Sequence, residues 1–79
     1  MAAKAIEGMK RYAAHQVLLY DGTTIEQGIV ELSDDGIVIR SFPFLYEQPM
    51  TEWLGGVIEV KADEAGHLKA YHRGRLLGT

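Results

Sequence analysis

The apolar positions of this chain fall into short runs broken by glycine and aspartate. From Val17 to Phe42 the sequence reads VLLYDGTTIEQGIVELSDDGIVIRSF. Three apolar runs are separated by Asp21-Gly22 and by Asp34-Asp35-Gly36. Runs of this length, rich in β-branched residues and bounded by turn formers, predict a β-meander. The first strand is expected over residues 10–20, apolar on both faces near its end and therefore covered on both sides there. The second is expected over 25–33, with Gly28 inside it marking a bulge or a close approach of backbone. Ser33-Asp34-Asp35-Gly36 fits a type I turn closed by a glycine bulge. A third strand over 37–42 ends at Pro43, which has no N–H to give a ladder.

Beyond Pro43 the pattern changes. Residues 44–49 read as a loop, yet Phe44, Leu45 and Tyr46 are large and apolar. A loop with that much apolar surface is expected to act as a flap packed on the core or on another subunit. Thr51 is expected to cap a short helical turn over 51–54, which Gly55-Gly56 stops. A fourth strand is expected over 56–62 and a fifth over 67–73, with the turn at 62–66 between them. Residues 1–9 and 74–79 are expected to fray. The fold class is thus all-β: a small antiparallel sheet of about five strands, folded over as a partial sandwich or barrel-like half, in a single domain over 1–79.

Composition narrows the function. Seventy-nine residues without cysteine exclude a disulfide framework, a thiolate zinc site and a cysteine nucleophile, and point to a reducing, cytoplasmic setting. No sustained apolar run is long enough to span a membrane. The net charge of −3 is unevenly distributed: residues 12–59 hold eight acids and a single base, Arg40. An acidic middle repels phosphate, so a nucleic-acid partner is not expected. Pairing of the basic terminal strands with the acidic middle is expected instead.

Candidate chemistry is sparse. His67 and His72 are five apart, which on a regular strand puts them on opposite faces. With His15 they make a poor zinc set, because such a site needs three or four convergent ligands. Asp34 and Asp35 have turn chemistry to do. Ser33 and Ser41 lack a nucleophile-elbow context, and Gly55-Gly56 lacks the lysine and helix of a phosphate loop. No catalytic residue, metal ligand or cofactor is expected. The aromatic residues lie mostly in the acidic middle, where packing or an interface accounts for them better than base stacking.

The order Val17-Leu18-Leu19-Tyr20-Asp21-Gly22, Gly28-Ile29-Val30-Glu31-Leu32, Asp35-Gly36-Ile37-Val38 and Gly56-Val57-Ile58-Glu59 resembles the small β-sandwich segment that precedes the barrel in metal-dependent amidohydrolases, the superfamily of cytosine deaminases and dihydroorotases. It also resembles short bacterial proteins labelled cytosine deaminase for that likeness. The resemblance covers a little over half the chain. In the enzymes the segment runs into a barrel strand of the form Pro-Gly-Phe-Ile-Asp-x-His-x-His, whose histidines bind the metal. On that pattern Gly55 takes the place of the proline and Gly56 matches the glycine. Val57 and Ile58 match the apolar pair, and Glu59 stands for the aspartate. Lys61 and Asp63 fall at the histidine positions, and a lysine is a poor ligand at neutral pH. Sixteen residues follow Asp63, whereas a barrel needs roughly 200 or more. The resemblance therefore implies the fold and argues against the activity.

Three functions follow as expectations. The first is a non-catalytic structural or interaction module that self-associates, as a twofold dimer, with Phe42, Phe44, Leu45, Tyr46 and Trp53 as interface anchors. The second is a deaminase-like hydrolase, or an accessory chain of one, recruiting His15, His67 and His72 across subunits. The third is a small-ligand binding module using the flap from Phe42 to Trp53.

Overall fold

The computed structural model describes residues 10–46 and 50–78. Among them are seven strands and no helix: β1 (Lys10–Leu18), β2 (Thr24–Leu32), β3 (Val38–Pro43), β4 (Thr51–Trp53), β5 (Val57–Ala62), β6 (Leu68–His72) and β7 (Arg75–Leu76). They form one sheet in the order β3-β2-β1-β5-β6-β7, with β4 also beside β1. The sheet does not close into a barrel.

The all-β class holds, but the sheet is mixed rather than antiparallel. β1 is antiparallel to β2 and parallel to both β4 and β5. A parallel neighbour needs a long return connection, and here β2 and β3 supply it. Thr51 to Trp53 forms a strand, not the expected helical turn. The backbone groups of β1 offer a ladder at that point, and Leu54 N–H extends it by donating to Ala13 O at 2.8 Å. Unpaired β1 donors and acceptors outweigh the weak local preference for a turn.

Three hairpin turns share one plan. Leu19, Ser33 and Asp63 each accept at their carbonyl from a glycine three residues on, namely Gly22, Gly36 and Gly66, and each donates its N–H to the carbonyl four residues on. Those glycines have φ of 91°, 81° and 87°, the left-handed conformation that a bulge after a type I turn requires. Side chains reinforce the turns. Asp21 Oδ1 accepts from Thr23 N–H, Ser33 Oγ from Asp35 and Ile37 N–H, and Asp63 Oδ1 from Ala65 and His67 N–H.

The inner face of the folded sheet carries the core: Ala14, Val17, Val30, Leu32, Val38, Ile58, Val60 and Ala70, all buried. At Gly28 backbone and side chain come close. A Cβ there would lie 2.7 Å from Val17 Cγ2, so the close approach expected of this glycine is real.

Residues 74–78 are not a frayed tail. Arg73 and Gly74 have φ of 55° and 79°, which suits a two-residue hairpin turn, and β7 pairs with Tyr71 and His72. Leu77 N–H donates to Ala70 O at 2.9 Å, and Leu77 packs against the core. A Cβ on Gly78 would lie 2.9 Å from Leu32 Cδ1 and 3.3 Å from Gly36 Cα. The end of the described chain thus meets the β2–β3 turn and draws the two sides of the sheet together. The expected fraying of 1–9 and Thr79 lies outside the described residues.

Candidate functional site

The site is the outer face of the sheet around β1, where two rows of residues cross the strands in register. In one row Thr51, Arg11, Glu31 and Arg40 lie side by side on β4, β1, β2 and β3. Arg11 Nε donates to Glu31 Oε2 at 2.7 Å and Arg40 Nε to Glu31 Oε1 at 2.8 Å. Glu31 is 1% exposed and is the one buried charged residue among those described. Burial pushes its carboxyl up, but the hydrogen bonds and charges of Arg40 and Arg11 outweigh that and hold it below the ordinary glutamate range. The Arg40 guanidinium also lies 5.1 Å from the centre of the Phe42 ring.

In the next row Trp53, Ala13, Ile29 and Phe42 are neighbours. Ala13 and Ile29 are fully buried. Phe44 follows the end of β3, and its N–H donates to Gln27 O at 2.6 Å. Its ring meets Trp53 edge to face with centroids 6.2 Å apart. Trp53 in turn meets His15 edge to face at 5.0 Å. An aromatic flank therefore runs along the outside of the sheet.

The five expected anchors divide. Phe42 and Phe44 are half-buried on the flank, while Leu45, Tyr46 and Trp53 are 80%, 68% and 51% exposed. Arg40, Phe42, Pro43, Leu45 and Tyr46 line an open groove of about 370 Å³. The remainder of the loop, residues 47–49, lies outside the described residues. A second depression, of about 400 Å³, lies at the other end of β1, between Leu18, Leu19 and Tyr20 and the Glu59–Ala62 segment.

His15 sits at an irregular point of the sheet. On one side Ala14 pairs with Gly28 and Gln16 with Glu26, and Gln27, opposite His15, has φ of 52°. On the other side Ala13 pairs with Trp53 and Gln16 with Val57. Three steps along β1 thus match four along the β4–β5 lane, and the extra residue is a bulge at Gly55-Gly56. Both glycines are left-handed, with φ of 74° and 63°. The expected stop at Gly55-Gly56 is thus a corner within one lane of the sheet.

Two histidines hold that corner. Gly56 N–H donates to His15 Nδ1 at 3.0 Å. His72 Nε2 lies 3.0 Å from Gly55 O, and because a carbonyl can only accept, the ring donates there. Gln16 N–H adds a bond to Gly56 O at 3.1 Å. His67 is elsewhere, 3.8 Å from Asp63 at the β5–β6 turn. Sequence spacing pointed to neither His15 with His72 nor the Glu31 pair. The histidines meet only because β5 returns parallel to β1. Glu31 did leave one trace: an acid inside an apolar run, in a stretch whose single base is Arg40. Among the described residues no three of His, Asp and Glu converge on a point where a metal ion would fit.

Compared with protein-family models, with curated proteins and with solved structures, the chain matches none.

Proposed function

We propose that this chain is a non-catalytic interaction module that associates with a second copy of itself through the flank from Phe42 to Trp53. One observation carries the reading. Of the eight large apolar residues that are exposed among those described, Leu45, Tyr46, Met50 and Trp53 fall in a single stretch between β3 and the end of β4. Scattered exposed apolar residues need no explanation, but a run of them beside a groove marks a contact surface. Aromatic residues and an arginine, here Arg40, are the side chains that most often anchor such contacts. The resemblance to the β-sandwich segment of amidohydrolases points the same way, because that segment serves packing and subunit contact.

Sedimentation velocity over a concentration series tests this. Association that rises with concentration, and is lost in Leu45→Ser with Tyr46→Ser, is the expected outcome. Both side chains are exposed, so the double variant is expected to melt within about 0.5 kcal/mol of the parent per site. A chain that stays monomeric at high concentration refutes the reading.

A further inference from the structure

We propose that His15 is a pH-sensitive latch: protonation of its ring breaks the bond from Gly56 N–H and loosens the Gly55-Gly56 corner that follows Trp53, so the flank keeps its docking shape only while His15 is neutral. The latch itself stands on geometry. Its consequence for docking rests on the function proposed above.

The roles of the two rings are fixed by the groups they touch. Gly56 presents an N–H, so His15 Nδ1 must carry a lone pair, and the bond exists only for the neutral ring with its proton on Nε2. Gly55 presents a carbonyl, so His72 donates from Nε2 and does so equally well when charged. One added proton therefore has opposite meanings on consecutive peptide groups. On His72 it leaves the contact in place. On His15 it turns an acceptor into a donor that faces another donor. Two left-handed glycines follow Trp53 and Leu54 directly, and glycine is the residue that re-orients most freely once a tether is lost.

Strands β2, β4, β5 and β6 bring their side chains toward His15. From β2 the neutral Gln27 is opposite it, and Glu26 accepts from Gln16 Nε2 at 3.0 Å. From β4 Trp53 faces it, and Glu52 alternates to the other face. From β5, Glu59 lies 3.8 Å from Lys61. From β6, His72 reaches the corner. Trp53 meets the His15 ring edge to face, a contact that uses no lone pair, so protonated His15 loses no hydrogen bond there. It cannot keep Gly56, which makes the Gly56 amide the decisive probe.

The experiment is residue-resolved amide exchange by NMR between about pH 8 and about pH 5, read as protection corrected for intrinsic exchange, alongside the emission of Trp53, the single tryptophan of the chain. Gly56 protection is expected to fall about fivefold or more at the acid end, the worth of one ordinary hydrogen bond. The fall should persist in His72→Gln, whose amide nitrogen can replace Nε2 as donor. It should vanish in His15→Asn, whose Oδ1 replaces Nδ1 as an acceptor that does not titrate. Unchanged Gly56 protection in the parent chain overturns the proposal, even if Trp53 emission changes. So does a fall that survives in His15→Asn. Should that variant not fold, the ring ¹⁵N shifts of His15 in the parent decide: a proton on Nδ1 at about pH 8 overturns the latch. Sedimentation at the two pH values gives the docking arm. Association lost at acid pH in the parent but kept in His15→Asn supports the coupling, and association equal at both refutes it. A monomer at every pH refutes the proposed function, while the Gly56 result still judges the latch.

Discussion

Replacing Gly28 by alanine tests how tightly the sheet is folded. Gly28 does not have a left-handed φ, so the substitution acts chiefly as a steric probe. The new Cβ would lie 2.7 Å from Val17 Cγ2, 3.1 Å from Val17 Cβ and 3.0 Å from Ile25 Cγ2. Carbon atoms do not approach so closely, and Val17 is fully buried and β-branched, so it has little freedom to turn away. Overpacking of this kind costs about 1–3 kcal/mol. Removing a glycine from the unfolded chain returns about 0.4–1 kcal/mol. A net loss of about 1–2 kcal/mol follows, which for a domain of this size lowers Tm by about 4–16 °C. Val17→Ala alone opens a cavity and should cost about 2 kcal/mol. If contact with Val17 is the cause, the double variant removes the closest of the three contacts and fills part of the cavity, so it should be more stable than the sum of the singles by about 1 kcal/mol. Urea melts followed by Trp53 emission measure all four chains. Strict additivity, or a Gly28→Ala chain as stable as the parent, would show that the two strands are not pressed together at this point.

Other perturbations read other parts of the structure. Glu31→Gln removes the carboxylate shared by Arg11 and Arg40 and should cost about 2–4 kcal/mol by urea melt. That is below the cost of breaking a fully buried pair, because Arg40 is 64% exposed. Asp21, Glu31 and Asp63 all titrate below their ordinary values, Asp21 and Asp63 chiefly because backbone N–H groups bond the charged form. Such groups stabilise the fold above their unfolded values of 3.8 and 4.5, and that stability drains away as pH falls through the folded values. Their contribution in urea melts should therefore be flat from neutral pH down to about 5 and fall below it, and a carboxylate contribution that rises on acidification would contradict the assignment. Gly78→Ala should destabilise more than Gly74→Ala. Both positions are left-handed, but a Cβ at Gly78 strikes Leu32 Cδ1 while one at Gly74 meets nothing within 4 Å. Equal melting temperatures would mean that the chain end does not press on the β2–β3 turn.

Local chemistry made the turns legible. Asp21-Gly22 and Ser33 to Gly36 name their own conformations, because an Asx or serine oxygen and a left-handed glycine act within four residues. Gly28 could be read as a tight spot, since nothing else explains glycine among Ile25, Ile29 and Val30. What stayed hidden was set by contacts distant in sequence. Thr51-Glu52-Trp53 became a strand because β1 had an open edge, which three residues alone do not announce. Arg75 and Leu76 pair with β6 through a turn whose first residue, Arg73, is not a usual left-handed former. The aromatic flank was visible as surplus apolar surface, but the part His15 and His72 play beside it was not, because it depends on a parallel return that no local pattern announces.

That return also explains why irregularity and chemistry coincide at His15. A strand with an antiparallel neighbour on one side and parallel ones on the other joins two hydrogen-bond spacings, one alternating and one even. Here the mismatch is absorbed at a single level: Gln27 turns left-handed on one side, and Gly55-Gly56 bulges on the other. A bulge leaves backbone groups out of the ladder, and here side chains bond them. His15 takes the Gly56 N–H and His72 the Gly55 carbonyl. A non-titrating side chain would close the corner at every pH. His15 makes its bond only when neutral, so a bulge in the ladder becomes a place where a single proton can act on the flank beside it.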